Sequence, residues 1–275
     1  AHYPIDTSKA CYVGDGVAVV LATSDTAARD AVELVEVDYE PLPAVVDLED
    51  SLTDRVVIHD DLGTNSSYTW NLKIEGTEGQ IDEAFAKAAH VVKGRYIQQR
   101  LIPMAMEPRA VVAVPQPFGG DMTLYSATQV PHILKVMTAL TLGIPEHQMR
   151  VVAPSVGGGF GSKLDVYAEE LLCIALSRQH GAPVRWNETR SEAAVATIQG
   201  RGQIQHIELA ADAARIDLRD HRARLLVVRA VAEGACHAEA QPAAAPRLAV
   251  PRVERAQDQR RLLQIAVLGD AQLDE

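Results

Sequence analysis

Three consecutive glycines, Gly157, Gly158 and Gly159, open the loop of VGGGFGSK at residues 156–163. MRVVAPS, a short run of β-formers, stands before it, and LDVYAEELLCIALSRQHG, with helical spacing, follows. Ordering three glycines costs more backbone entropy than ordering other residues. A chain keeps such a loop where bare backbone must pass close to something. The pattern demands a fold with strand-to-helix corners. Backbone N–H groups at such a corner can hold an anion. A phosphate, a pyrophosphate or a metal–oxo group suits that chemistry, and so does a tight turn serving only close helix packing.

Two common glycine loops do not fit. The dinucleotide fingerprint G-x-G-x-x-G finds Ser162 in its third glycine place. The phosphate loop G-x-x-x-x-G-K-[ST] fails because Ser162 precedes Lys163 and Leu164 follows it. A nucleotide-binding domain is therefore a weak third reading of the chain. A second corner, SATQVPH at residues 126–132, also lies between a strand pattern and a helix pattern. Its Gln129 can donate and accept hydrogen bonds without charge. Two such corners in one open sheet can face one crevice.

The rest of the chain gives the frame. Residues 16–23 read as a strand, and TSDTAARDAVELV as a helix capped by Ser24 or Thr23. VEVDYEPLPAVVD reads as a second strand, ended by Pro41 and Pro43. The irregular, polar text of residues 51–79 reads as a linker. A helix running into a strand is expected from Gln80. Two extended stretches then flank Met106-Glu107-Pro108-Arg109, where Glu107 and Arg109 either pair to fix a turn or shape a ligand site. Pro131 starts a helix whose inner face is expected to be Ile133, Val136, Met137 and Leu140, with Gly143 ending it. Asp165 is the expected cap of the next helix, and Gly181 its end. PVRWNETRSE reads as a strand and a charged corner, and GQIQHIELAAD as a further strand.

The 275 residues carry a net charge of -11, which disfavours nucleic acid and anionic membranes as partners. No apolar run reaches the ~20 residues of a membrane span. No secretory signal opens the chain, and a cytoplasmic location is expected. Cys11, Cys173 and Cys236 are far apart, without a C-x-x-C pair, so structural thiols are expected rather than a zinc or iron–sulfur site. Past Asp212 the composition changes. Residues 213–275 hold no lysine and no aromatic residue, but ten of the twenty arginines and fifteen alanines. Such a segment is either a shifted reading frame or a natural alanine-rich tail.

The order of YVGDGVAVVLATSDTAARDAVELVEVDYEPLPAVVD, MEPR, SATQVPH, VVAPSVGGGFGSKLDVYAEE and PVRWNETRSE resembles one known family. It is that of the large, molybdenum-cofactor-binding subunits of xanthine dehydrogenase and aldehyde oxidase, in the branch of bacterial carbon monoxide dehydrogenase large chains. The resemblance covers residues 10–212 and implies an α+β fold. Residues 1–55 are then the end of an α/β hammerhead domain, 56–79 a linker, 80–212 the start of the molybdopterin-binding domain, and 213–275 an off-family tail.

The resemblance further implies that Gln129 lies beside the molybdenum, with backbone of Gly158, Gly159, Phe160 and Gly161 on the cofactor side. It implies molybdopterin cytosine dinucleotide as cofactor, and FAD and 2Fe-2S clusters on a medium and a small partner subunit. The implied chemistry is oxidation of carbon monoxide, an aldehyde or an N-heterocycle with oxygen from water, a glutamate acting as general base. Two departures matter. Purine-oxidising members carry Glu after the loop lysine, where this chain has Leu164. The catalytic glutamate of the family would lie beyond this chain, so the piece alone is expected to be inactive. A non-catalytic fragment that binds partner subunits is the alternative.

Overall fold

A computed structural model describes residues 5, 9–69, 79–116, 122–211, 225–233 and 262–269. The elements in chain order begin with β1 (Gly16–Ala22), α1 (Asp25–Val32), α2 (Leu48–Ser51), α3 (Gln80–Lys87) and β2 (His90–Leu101). Then come β3 (Ala110–Pro115), β4 (Met122–Ser126), α4 (Pro131–Leu142), β5 (Met149–Val152), α5 (Ala168–His180), β6 (Val184–Asn187) and α6 (Arg190–Ala196). The last are β7 (Gly200–Ala211), β8 (Leu225–Glu233) and β9 (Leu263–Gly269). The mixed α and β content agrees with the expected α+β class.

Packing divides the residues into two compact units, one of 1–41, 102–200 and 239–275, the other of 42–101 and 201–238. This division follows different lines from the sequential boundaries expected at residues 55, 79 and 212. The first unit holds a six-stranded sheet in the order β1-β9-β6-β3-β4-β5. Strand β3 is antiparallel to both β4 and β6, while β4 and β5 are parallel. A parallel pair needs a crossover, and α4 supplies it. Val111, Ala113, Leu124, Leu134, Cys173, Ile174, Val184 and Trp186 form the core between this sheet and its helices. Cys173 is fully buried there, and burial pushes its thiol well above its ordinary value, as befits a structural thiol. Cys11 is half-buried, and Cys236 lies outside the described residues.

Several local expectations hold because the residue itself decides them. Ser24 caps α1 through the Ala27 N–H, Pro131 opens α4, and Gly143 and Gly181 end α4 and α5 in the left-handed conformation. Others do not hold. Residues 35–47 form no strand, although they alternate. Pro41 and Pro43 remove two backbone donors from this stretch, and it is not hydrogen-bonded into the sheet although β1 is an edge strand.

In α4 the buried residues are Leu134, Thr138 and Ala139, while Ile133, Val136 and Leu140 are exposed. That helix is apolar on two faces, so packing chose the side. Asp165 does not cap α5. Its carboxylate accepts from Val166 N–H, and the helix starts at Tyr167, whose N–H donates to Glu170 Oε2 at 3.0 Å. The charged corner after β6 is the capped start of α6, with Thr189 and Glu192 closing a reciprocal capping box.

From the tail, Leu263, Ile265 and Val267 of β9 are buried in the first unit. Outside 225–233 and 262–269 the tail lies outside the described residues. The second unit holds the sheet β2-β7-β8. Residues 52–69, within the expected linker, are turns organised by Asn65. Its side chain accepts from Ile58 N–H and donates to the Ser51 and Val56 carbonyls. The linker residues 70–78 lie outside the described residues.

Candidate functional site

Strands β4 and β5 run parallel, so the corners that follow them emerge at the same end of the sheet. Gln129 stands on the first corner and residues 157–163 form the second. The two are joined directly. Gln129 N–H donates to the Lys163 carbonyl at 2.8 Å. Gln129 Oε1 accepts from Gly161 N–H at 3.1 Å and from Lys163 N–H at 3.3 Å. The acceptor end of the amide is thereby consumed by the loop. Its donor end, Nε2, takes no hydrogen bond among the described residues. The N–H groups of Gly158, Gly159 and Phe160 likewise take none among them.

Close approach explains the central glycine. A Cβ on Gly159 would lie 2.3 Å from Gln129 Oε1 and 2.6 Å from its Cδ. The loop also turns through left-handed backbone at Gly158, Phe160 and Gly161. At Phe160 that conformation costs a side-chain-bearing residue energy on the order of 1 kcal/mol or more. Phe160 is 76% exposed, and Leu164, just past the loop, is 52% exposed. All five residues singled out in the sequence, Gln129, Gly158, Gly159, Phe160 and Gly161, thus stand in one contiguous structure. It presents a donor-rich row of backbone amides.

Glu107 and Tyr167, from outside the loop, and the side chain of Lys163 at its end support it, in contacts that sequence reasoning did not foresee. Glu107 Oε2 accepts from Gly157 N–H at 2.6 Å and from the Lys163 ammonium at 3.0 Å. Burial pushes the Glu107 carboxyl up, but the Gly157 N–H and the Lys163 ammonium outweigh it and hold the group below the usual carboxylate range. Tyr167 donates its hydroxyl to the Ser162 carbonyl at 2.5 Å and accepts from Ile198 N–H. MEPR had flagged Glu107, but nothing in the sequence pairs it with a residue so far along.

Arg109, the other charged residue of that corner, serves elsewhere. It is buried, bonded through Nε to Glu188 Oε1 at 2.8 Å and through its terminal nitrogens to Glu169 at 3.1 and 3.3 Å. Its guanidinium lies 3.8 Å from the centroid of the Tyr167 ring. Burial alone would lower its proton affinity, but Glu169 and Glu188 more than compensate. The expected pairing of Glu107 with Arg109 is not found: Arg109 pairs with Glu169 and Glu188, and Glu107 with Lys163. A cavity of about 10 Å³ among Arg109, Lys163, Tyr167 and Glu170 has room for about one water molecule.

Glu170 gives a pH prediction. Burial pushes its carboxyl up to about 7, against the lowering effect of hydrogen bonds from Ser126 Oγ and Tyr167 N–H. A raised folded value means that its contribution to stability is complete below about pH 4.5 and is lost as pH rises through about 7. Stability should fall between pH 5 and pH 8, by on the order of 3 kcal/mol from this group. Glu170→Gln should flatten that slope in urea titrations. An unchanged slope in the variant would assign the loss to other groups.

Residues 58–250 match the molybdopterin cofactor-binding domain family. The match continues past residue 212, where the composition changes. The chain is 35% identical over 213 residues to the gamma subunit of the 6-hydroxypseudooxynicotine dehydrogenase complex of Paenarthrobacter nicotinovorans, covering 78% of this chain and 26% of that protein. It is 34% identical over 214 residues to the carbon monoxide dehydrogenase large chain of Afipia carboxidovorans, covering 74% and 26%. The crystal structure of quinoline 2-oxidoreductase from Pseudomonas putida 86 superposes with a TM-score of 0.67 at 37% identity, covering 76% of this chain and 26% of that one. The chain spans about a quarter of the length of these relatives.

Proposed function

Because the chain belongs to the molybdopterin cofactor-binding domain family, among the large subunits of the xanthine dehydrogenase group, we propose that residues 157–163 and Gln129 are its contact with a molybdenum cofactor. The observation that carries this reading is the donor set. Among the described residues, Gln129 Nε2 and the N–H groups of Gly158, Gly159 and Phe160 have no hydrogen-bond partner, and all are donors. Such a set suits an oxo-bearing anionic group. A Cβ at Gly159 would collide with the Gln129 amide, so glycine keeps bare backbone at the centre while Gln129 stays in place.

When bound, the cofactor supplies the two-electron redox chemistry of a hydroxylation. The protein's part is to bind and orient. Gln129 donates a neutral hydrogen bond, the loop amides offset negative charge, and Phe160 and Leu164 give apolar walls that exclude water. Glu107 is a poor general base, since Gly157 and Lys163 hold its carboxylate charged and engaged. The base therefore comes from outside this loop.

By the same reading the cofactor is the cytosine dinucleotide form, and electrons pass to FAD and iron–sulfur subunits. The substrate is carbon monoxide, an aldehyde or an N-heterocycle. The apolar Leu164, where a purine oxidiser carries a carboxylate, argues against purines. In the assembled enzyme, dye reduction should be driven by one of those three classes, and xanthine or hypoxanthine should give less than about a hundredth of that rate. Purine turnover at a comparable rate would sink the substrate reading.

A second reading, a non-catalytic piece that binds partner subunits, is favoured by the exposed Ile133, Val136 and Leu140 face of α4. Co-purification with the FAD and iron–sulfur subunits but without molybdenum would support it over the first.

A further inference from the structure

We propose that Glu107 and Lys163 are the positioning pair of this site: a staple that orders residues 157–163 and thereby holds the amide of Gln129 in place. The loop begins at Gly157 and ends at Lys163, and both ends meet one oxygen. Gly157 N–H and the Lys163 ammonium reach Glu107 Oε2 at 2.6 and 3.0 Å. Glu107 N–H returns a bond to the Gly157 carbonyl at 3.2 Å. The glycine-rich segment is thus closed into a ring across which its large conformational entropy is lost.

Lys163 carries the second half of the device. Its backbone holds Gln129 from both sides, accepting Gln129 N–H at 2.8 Å and donating to Gln129 Oε1 at 3.3 Å. Thr128 Oγ1 also donates to the Lys163 carbonyl, at 3.4 Å. One residue therefore joins the start of the loop, through its side chain, to the amide opposite, through its backbone.

Burial shows why the pair has to be charged. The Lys163 side chain is 1% exposed, and Glu107 is its one ion-pair partner among the described residues. A buried ammonium without a counter-charge is costly, so it holds the carboxylate against Gly157. The ammonium points inward. This separates the lysine from that of a phosphate loop, whose charge faces the ligand.

The test is amide hydrogen exchange on the cofactor-free 275-residue chain, read by NMR at Gly157, Gly161 and Lys163. In Glu107→Gln and Lys163→Met these three amides should exchange about tenfold faster or more, while amides of β3 and β4 stay protected. Glu107→Gln strands the ammonium, so its thermal midpoint should also fall. Combining it with Lys163→Met should restore the midpoint but leave the loop exchanging fast. That split separates positioning from simple stability. Unchanged loop exchange in Lys163→Met, or loop order restored together with the midpoint in the double variant, would overturn the proposal. Its bearing on cofactor retention rests on the function proposed above. The exchange data need no cofactor, so they stand or fall independently of that function.

Discussion

Replacing Arg109 by methionine should unfold the first unit or leave it barely stable. The guanidinium is buried, and its partners Glu169 and Glu188 have side chains only 10% and 1% exposed. Removing the cation leaves two carboxylates in a poorly solvated place. Breaking one side of such a buried pair costs about 3–5 kcal/mol. Whole-domain stabilities are about 5–15 kcal/mol. The loss also takes away the stacking on Tyr167, whose hydroxyl ties Ser162 to Ile198. Urea unfolding should show a large drop in midpoint for Arg109→Met. Adding Glu169→Gln and Glu188→Gln should recover much of it, because the stranded charge is then gone. A single variant as stable as the parent would mean that these ionic contacts contribute nothing.

Gly159→Ala should act in the opposite way, disrupting the site while sparing the fold. The added methyl would sit 2.3 Å from Gln129 Oε1, 2.6 Å from its Cδ and 2.9 Å from its Cγ. Gln129 is exposed, so the collision is relieved by swinging it out rather than by moving the sheet. Gly159 does not use left-handed backbone, so alanine adds no backbone strain there. The expected result is a stability change below about 1–2 kcal/mol with loss of both bonds to Gln129 Oε1. Gly161→Ala is the contrasting control. Nothing lies within 4 Å of its added Cβ, but its φ of +100° makes alanine strained, at about 1–3 kcal/mol. The first variant should release Gln129, and the second should lower stability while leaving Gln129 in place.

What the sequence disclosed and what it hid divide along physical lines. Ser24, Pro131, Gly143 and Gly181 were readable because caps and breakers act within a turn of themselves. The two corners were readable because parallel strands must deliver their following loops to one end of a sheet. Gln129 and residues 157–163 therefore met as expected, and the ordered motifs carried the family. The inner face of α4 was not readable. Ile133, Val136 and Leu140 are as apolar as Leu134, and only the neighbouring sheet distinguishes them. Residues 35–47 have the alternation of a strand but join no sheet, and Pro41 and Pro43 remove two of the donors that pairing would need. Asp165 could have capped a helix, yet the carboxylate of Glu170 reaches the Tyr167 amide and sets the start later. The Glu107–Lys163 staple spans 56 positions, and no local pattern encodes such a distance. In the tail, β9 takes part in the sheet through three alternating apolar residues, Leu263, Ile265 and Val267, without any aromatic side chain.

The central claim is that the loop and Gln129 hold a molybdenum cofactor, and metal content tests it most directly. The parent chain, Gln129→Ala and Gly159→Ala are each incubated with molybdenum cofactor released from a donor protein, desalted, and assayed for molybdenum and pterin per chain. The parent should retain both together, with each variant, still folded, retaining at least about tenfold less. Equal molybdenum in the parent and in folded Gly159→Ala, zero in both included, would contradict the account.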